Sequence, residues 1–468
     1  MPPIPAATDS ASHKSELATI AQHAGTVMVG QLAVMAFSIT DTIVAGRYAP
    51  EALAVLSIGA SIYVSVYVSL MGVMQALLPV YAELHGARRY PELGRSVRQS
   101  VYLAVALVLL GMSVMLFPQP LLRAAQVPEA LRPAAESYLG ILAWALLPSM
   151  GFRMYSSLNQ ALGKPKLVTA LQVGSLLVKV PLTIWLAFGG LGIPPMGLAG
   201  CAWATFIVNW LMLLCALLML RTQALYKPLK LMHQMEPPNW PLLARFARTG
   251  LPGGMAYLVE ITSFTLMALF IARLGIIPAA SHQVAANMAG VMYMLPLALS
   301  IACSARVSYW IGAGNPLRAR AVARLGLALT VGLASVVALL TYALAHPIAA
   351  LYSTDAAVVA LASSLLVWVA VYHWFDALQT ICAFVLRCYS VTLMPLLIYG
   401  VMLWGVGLGG GYALAYTNGA WGVAMQSAQA FWMAGAAALA VVAALFLALL
   451  VHYALATPHA PAQPPSSK

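Results

Sequence analysis

Charge is what this sequence has least of. Of its 468 residues only 8% are Asp, Glu, Lys or Arg, whereas 62% are hydrophobic and the mean hydropathy is +0.87. Soluble globular chains carry about a quarter of their residues as charges, so this composition excludes an ordinary water-facing surface and leaves lipid as the surrounding medium. Cysteine is also scarce. Cys201, Cys215, Cys303, Cys382 and Cys388 are odd in number, fall mainly within apolar runs and never show CxxC spacing. That pattern argues against a disulfide framework or a zinc ribbon and fits small buried hydrophobes. No Walker A loop is present, which argues against an ATP-driven pump on this chain, and HExxH and GxSxG are absent as well. The nine histidines show no metal-ligand spacing. The first residues, MPPIPAATDSASHKSE, do not resemble a cleaved signal peptide.

What is present is a series of long apolar runs, near 18–45, 53–80, 98–118, 136–160, 167–190, 197–220, 246–273, 281–305, 322–346, 357–386, 393–416 and 420–454. At roughly 20 residues per crossing these predict about twelve transmembrane helices. The expected fold is therefore an all-α polytopic membrane protein. It is organised as a cytoplasmic tail (1–17), a six-helix bundle (18–220), a polar cytoplasmic linker (221–245), a second six-helix bundle (246–454) and a Pro-rich disordered tail (455–468).

The net charge of +12 does not make a nucleic-acid patch, because the basic residues sit between the apolar runs. With both termini placed in the cytoplasm, only Arg47, Arg123, Arg132 and Arg273 fall outside, while Arg153 and Lys179 fall within spans. The other Lys and Arg residues lie inside, as basic loops do in bacterial inner membranes. The halves also repeat. Gln75–Ala87 recurs in outline around Ile301–Ala313, and Met196-Gly-Leu-Ala-Gly-Cys-Ala recurs as Asn418-Gly-Ala-Trp-Gly-Val-Ala. Six spans per half gives both copies the same orientation, and parallel repeats of this kind are a signature of transporters.

Nine of the twelve acids sit in tails, loops or span ends, including Glu16, Glu236 and Asp355. Three do not: Asp41 in the first run, Glu260 in the seventh and Asp376 in the tenth. A charge at the bilayer centre costs about 2.5–3.5 kcal/mol on insertion scales, so all three are expected to face the interior. A structural carboxylate, paired or capping a broken helix, is the plain alternative for each. Glu260 and Asp376 lie in one half and suit either a proton or a hard cation such as Na⁺. Asp41 lies in the other half and could neutralise a cationic substrate. Tyr372, Trp374 and Phe375 crowd Asp376, and Phe264 lies one turn beyond Glu260, an aromatic setting that suits lipophilic organic cations.

The segment Val34–Gly46 (VMAFSITDTIVAG) resembles the first-helix signature of the multidrug and toxic compound extrusion (MATE) transporters. Met74–Gly86, Asn159–Lys166, Leu251–Ile261, Ala280–Asn287, Ile311–Pro316, Asp376–Thr392 and Tyr399–Leu414 resemble further motifs of that family in the expected order. The acids in the first, seventh and tenth helices are similar to the NorM-like branch. The resemblance implies a V-shaped pair of bundles that exports lipophilic organic cations, such as dyes and drugs, in exchange for Na⁺ or H⁺. It implies no cofactor beyond that ion and no ATP. On the same basis Glu260, Asp376 and Tyr372 form the coupling-ion site, with Glu260 and Asp376 as the Na⁺ ligands if sodium is the ion. Asp41, Ser61, Phe264, Gln283 and Asp355 line the substrate cavity.

Two departures stand out. Lys179 and Thr183 occupy positions where the family often has Asn, and Cys388 stands where it commonly has Gly. A buried lysine needs a partner, so Lys179 is expected to join the cavity residues by pairing with Asp41 or another polar group of the first bundle. The main rival function is a flippase for lipid-linked oligosaccharides or another amphiphile. Three acids against two bases within the spans favours cationic cargo over anionic head groups. A membrane-embedded enzyme or a passive channel is less well supported.

Overall fold

The computed structural model describes residues 9–124, 127–190, 192–418 and 423–456. The helices are α1 (Asp9–Tyr48), α2 (Pro50–Met74), α3 (Leu77–Gly86), α4 (Tyr90–Leu116), α5 (Gln119–Ala124), α6 (Arg132–Ala161), α7 (Pro165–Phe188) and α8 (Leu198–Thr222). They continue with α9 (Trp240–Ala272), α10 (Ile276–Gly312), α11 (Pro316–Ala343), α12 (Ala345–Tyr352), α13 (Ala356–Cys388), α14 (Leu393–Gly400), α15 (Gly410–Tyr416) and α16 (Gln429–Leu450). A π-helical stretch, Val401–Gly409, joins α14 to α15. The expectation of an all-α polytopic protein holds.

Among the described residues, 11 helical segments are long and apolar enough to cross a membrane, with α2–α3 counted as one and Leu393–Tyr416 as another. The remaining expected crossing, α6, is a helix of 30 residues. Its inner face carries Ser149, Arg153, Ser156, Ser157, Asn159 and Gln160, all buried. That polarity, hidden against neighbouring helices, is why this segment reads less clearly as a lipid-facing span.

Proline shapes several of these elements. It opens α2, α7 and α11 at the first position, where the missing N–H costs nothing. Pro79 is the third residue of α3, just after the helix breaks at Gln75–Ala76. Pro148, Pro181, Pro252 and Pro296 instead lie inside α6, α7, α9 and α10. Membrane helices tolerate such positions because neighbouring groups satisfy the freed carbonyls.

The chain groups into two compact units, Val29–Leu258 and, separately, Val259–Lys468 with the described part of Met1–Met28. Within the Val29–Leu258 unit, α6 is the central helix, packed by α2, α3, α4, α7 and α8. Within the Val259–Lys468 unit, α13 has that position, packed by α10, α11, α12 and α16. These are the fourth and tenth crossings in chain order, so the internal repeat seen in sequence reappears as equivalent hubs.

The 221–245 segment is more ordered than a polar connector needs to be. Ala224–Leu229 forms a 3-10 turn whose Tyr226 is buried and donates its hydroxyl to Asn159 Oδ1 at 2.7 Å. The chain then runs along α4. There Tyr102 donates to the Glu236 carbonyl at 2.9 Å, and Gln99 bonds the Pro237 carbonyl at 3.0 Å and accepts from Asn239 N–H at 2.8 Å. In the other unit, the start of α1 is held by Glu16, which accepts from Arg306 Nη2 at 2.5 Å, from Arg306 Nε at 3.0 Å and from Trp310 Nε1 at 3.1 Å.

Candidate functional site

Two polar clusters lie inside otherwise apolar helices, one in each unit. In the Val259–Lys468 unit, α9 supplies Glu260 and α13 supplies Asp376, which is only 5% exposed. Asp376 Oδ1 accepts from Gln379 Nε2 at 3.0 Å, a bond between neighbours three residues apart on one helix face. The same Gln379 nitrogen lies 3.1 Å from Thr380 Oγ1 and 3.4 Å from the Tyr399 hydroxyl of α14. Glu260 lies within electrostatic range of Asp376 and near the Tyr399 hydroxyl. Among the described residues, no ion pair includes either acid. Two neighbouring carboxyls with no paired base can be neutralised only by an added cation or by protons, and that is the chemistry this cluster offers.

Tyr372 stands one turn before Asp376 and packs edge-on against Phe264 and Trp432, with ring centroids 5.9 and 5.5 Å away. Beside it is a cavity of about 20 Å³ bounded by Ser263, Phe264, Met267, Tyr372, Leu403 and Gly407, among others. One water needs about 10–15 Å³, so this space fits a water or a small ion and is far too small for a dye. Gly407 of the π-helical stretch and Gly435 of α16 keep its walls thin on that side. Among the described residues, no group of three or more His, Cys, Asp and Glu converges as a metal cluster would. A hard cation here would draw on two carboxylates plus neutral oxygens.

The second cluster, in the Val29–Leu258 unit, contains its own cation. Lys179 Nζ donates to Asp41 Oδ1 at 2.7 Å, to Thr205 Oγ1 at 2.6 Å and to the Cys201 carbonyl at 3.2 Å. Thr205 Oγ1 lies 3.4 Å from Asp41 Oδ2. Lys179 is 0% exposed and Asp41 8%. On α7 the lysine shares a buried stripe with Gln172, Ser175 and Thr183, at helical spacing. Arg153, the other basic residue within a span, points at Met71 Sδ, 2.7 Å away, rather than at an acid.

The remaining candidates are not drawn into either cluster. Ser61 is exposed on α2 and donates to the Ser57 carbonyl of its own helix at 2.7 Å. Gln283 is exposed on α10, with Asn287 Oδ1 3.4 Å from its amide nitrogen. Asp355 is the N-cap of α13, accepting from the N–H groups of Ala357 and Val358. Sequence reasoning did not single out Gln379, Thr380, Tyr399 or Thr205. The Asp376–Gln379 spacing was a usable signal. Tyr399 and Thr205 come from other helices, and no local pattern marks them.

A protein-family model described as MatE matches residues 27–185 and 252–413. A probable multidrug resistance protein NorM of Aromatoleum aromaticum is 38% identical over 394 residues, covering 84% of this chain and 85% of that protein. The multidrug resistance protein PmpM of Pseudomonas aeruginosa is 34% identical, covering 86% and 85%. Among solved structures, a point mutant of the Vibrio cholerae MATE transporter VcmN aligns with a TM-score of 0.85 at 16% identity, over 95% of this chain and 99% of that one. The eukaryotic MATE transporter AtDTX14 aligns with a TM-score of 0.83 at 20% identity, covering 94% and 96%. At those identities the structural likeness speaks to the fold alone.

Proposed function

This chain belongs to the MatE family of transporters, and from that premise we propose that it is a secondary active antiporter exporting lipophilic organic cations in exchange for Na⁺ or H⁺. The observation that carries the reading is the carboxyl pair of half-buried Glu260 and buried Asp376, with Gln379, Thr380 and Tyr399 around it and, among the described residues, no base paired with it. The names of those relatives, multidrug resistance proteins of bacteria, support the class of cargo. In this reading the driving ion is taken up at Glu260 and Asp376, with Tyr372 closing the wall toward Phe264. Each charge entering down the gradient supplies about 2.3 kcal/mol per 100 mV. Coupling follows if ion and cargo favour different conformations, because a ligand shifts an equilibrium only by its differential affinity. The Lys and Arg distribution supports a bacterial inner-membrane location with both termini cytoplasmic.

The test is ethidium efflux from proteoliposomes, driven separately by an imposed Na⁺ gradient and an imposed pH gradient. Wild type should respond to one of them, and Glu260→Gln and Asp376→Asn should each lose at least a hundredfold of that driven rate. If neither gradient moves an organic cation in wild type, drug antiport is wrong and transport of lipid-linked oligosaccharide becomes the reading to test.

A further inference from the structure

The two polar clusters differ in one respect that bears on selectivity. Among the described residues Glu260 and Asp376 are paired with no base, whereas the ammonium of Lys179 sits on Asp41. An ammonium has three N–H donors, and here all three find acceptors, at 2.7, 2.6 and 3.2 Å. The lysine is completely buried, its carboxylate partner nearly so, and the third acceptor is a backbone carbonyl of α8 that rotation cannot remove. A free cation approaching Asp41 would meet a like charge already in contact with the oxygens it seeks.

We propose that Lys179 is a tethered cation that holds Asp41 closed to free cations, so that this carboxylate accepts a cationic ligand only when the lysine is displaced. The lysine thereby determines specificity. Cation binding is concentrated at the unpaired carboxyls of the Val259–Lys468 unit, and a ligand competing at Asp41 must itself bring N–H donors able to replace the three lost bonds. A quaternary cation without such donors cannot do this. The inference rests on the cation-transport reading only in its choice of probe.

The experiment is equilibrium binding of tetraphenylphosphonium, a permanent cation without N–H groups, to the purified full-length protein. Lys179→Met should bind an additional equivalent, or bind about tenfold more tightly, and adding Asp41→Asn to it should abolish that gain. Lys179→Arg keeps the charge and should give no gain. Thr205→Val removes one acceptor while keeping both charges, so it folds even if the methionine variant does not, and it should give a smaller gain of about two- to threefold. Absence of gain in both Lys179→Met and Thr205→Val, or a gain that survives Asp41→Asn, overturns the proposal. Glu260→Gln is measured alongside. If it leaves ion-driven ethidium efflux untouched, ion coupling through that carboxyl pair fails as a reading while the Lys179 result stands by itself.

Discussion

Arg98 and Glu236 stand 138 positions apart in the chain and meet fork to fork. Nη2 donates to Oε1 at 2.5 Å and Nε to Oε2 at 3.3 Å, while Nη1 reaches the Lys230 carbonyl at 2.7 Å. Bidentate pairing of this kind combines charge with fixed geometry. It fastens the segment between the two sets of helices onto α4.

Breaking that clamp should release the segment. Arg98→Leu leaves the Glu236 carboxylate and the Lys230 carbonyl without their donor and should cost about 1–3 kcal/mol, read as a lowered Tm in detergent. The Lys230–Leu231 bond should become markedly more sensitive to trypsin. The hydrogen bonds from Arg98 hold the Glu236 carboxyl below the usual carboxylate range. Its contribution is therefore complete at pH values above that range and is lost as pH falls through the lowered value. The difference in Tm between wild type and Arg98→Leu should accordingly be largest at neutral pH and close on strong acidification.

Gly94 gives an independent check on the same packing. A Cβ built there would collide with the backbone oxygen of Leu229. In an exposed helix Gly→Ala stabilises by about 1 kcal/mol. Here Gly94→Ala should instead destabilise, by about 1–3 kcal/mol as in other overpacked sites. A rise in Tm would show that the segment does not press on α4 at this point.

For the carboxyl pair, the informative substitutions are those that leave both acids in place. Tyr399→Phe removes the hydroxyl that meets Gln379 near Glu260, and Gln379→Leu removes the donor to Asp376. Groups that orient ion ligands are typically worth about 10–100-fold in ion affinity. Both variants should raise the concentration of driving ion needed for half-maximal efflux by about tenfold or more, with a smaller effect on the maximal rate. Unchanged ion dependence in both would place the ion elsewhere.

Much of the architecture was legible because lipid imposes a simple rule: apolar runs of sufficient length are helices. The rule weakens at α6, where Arg153, Asn159 and Gln160 are hidden by neighbouring helices rather than excluded from the membrane. It is silent on the 221–245 segment, since pairing between Arg98 and Glu236 across most of one half leaves no trace in local spacing. Glu16 was similarly inconspicuous as one acid near the start of the chain, yet it pairs with Arg306. At the sites, Asp41, Glu260 and Asp376 stood out because a charge among apolar neighbours is costly, and cost is visible in a single sequence. Their hydroxyl and amide partners carry no such cost and were not visible. Asp355 has a local explanation: an aspartate ahead of an Ala/Val-rich helix is a favoured N-cap, and it is used as one.

The pairing of Lys179 with Asp41 also has an electrical meaning. A carboxylate bound to its own ammonium is a dipole with no net charge, so the membrane voltage exerts no net force on it as a unit. Glu260 and Asp376 have no such partner among the described residues, and whatever neutralises them must cross part of the field to arrive. Of the two polar clusters, only the Glu260 and Asp376 pair should therefore respond to voltage as its neutralising charge arrives. Replacing Lys179 by a neutral residue would leave the Asp41 carboxylate as a gating charge, worth up to about 2.3 kcal/mol per 100 mV if it senses the whole field.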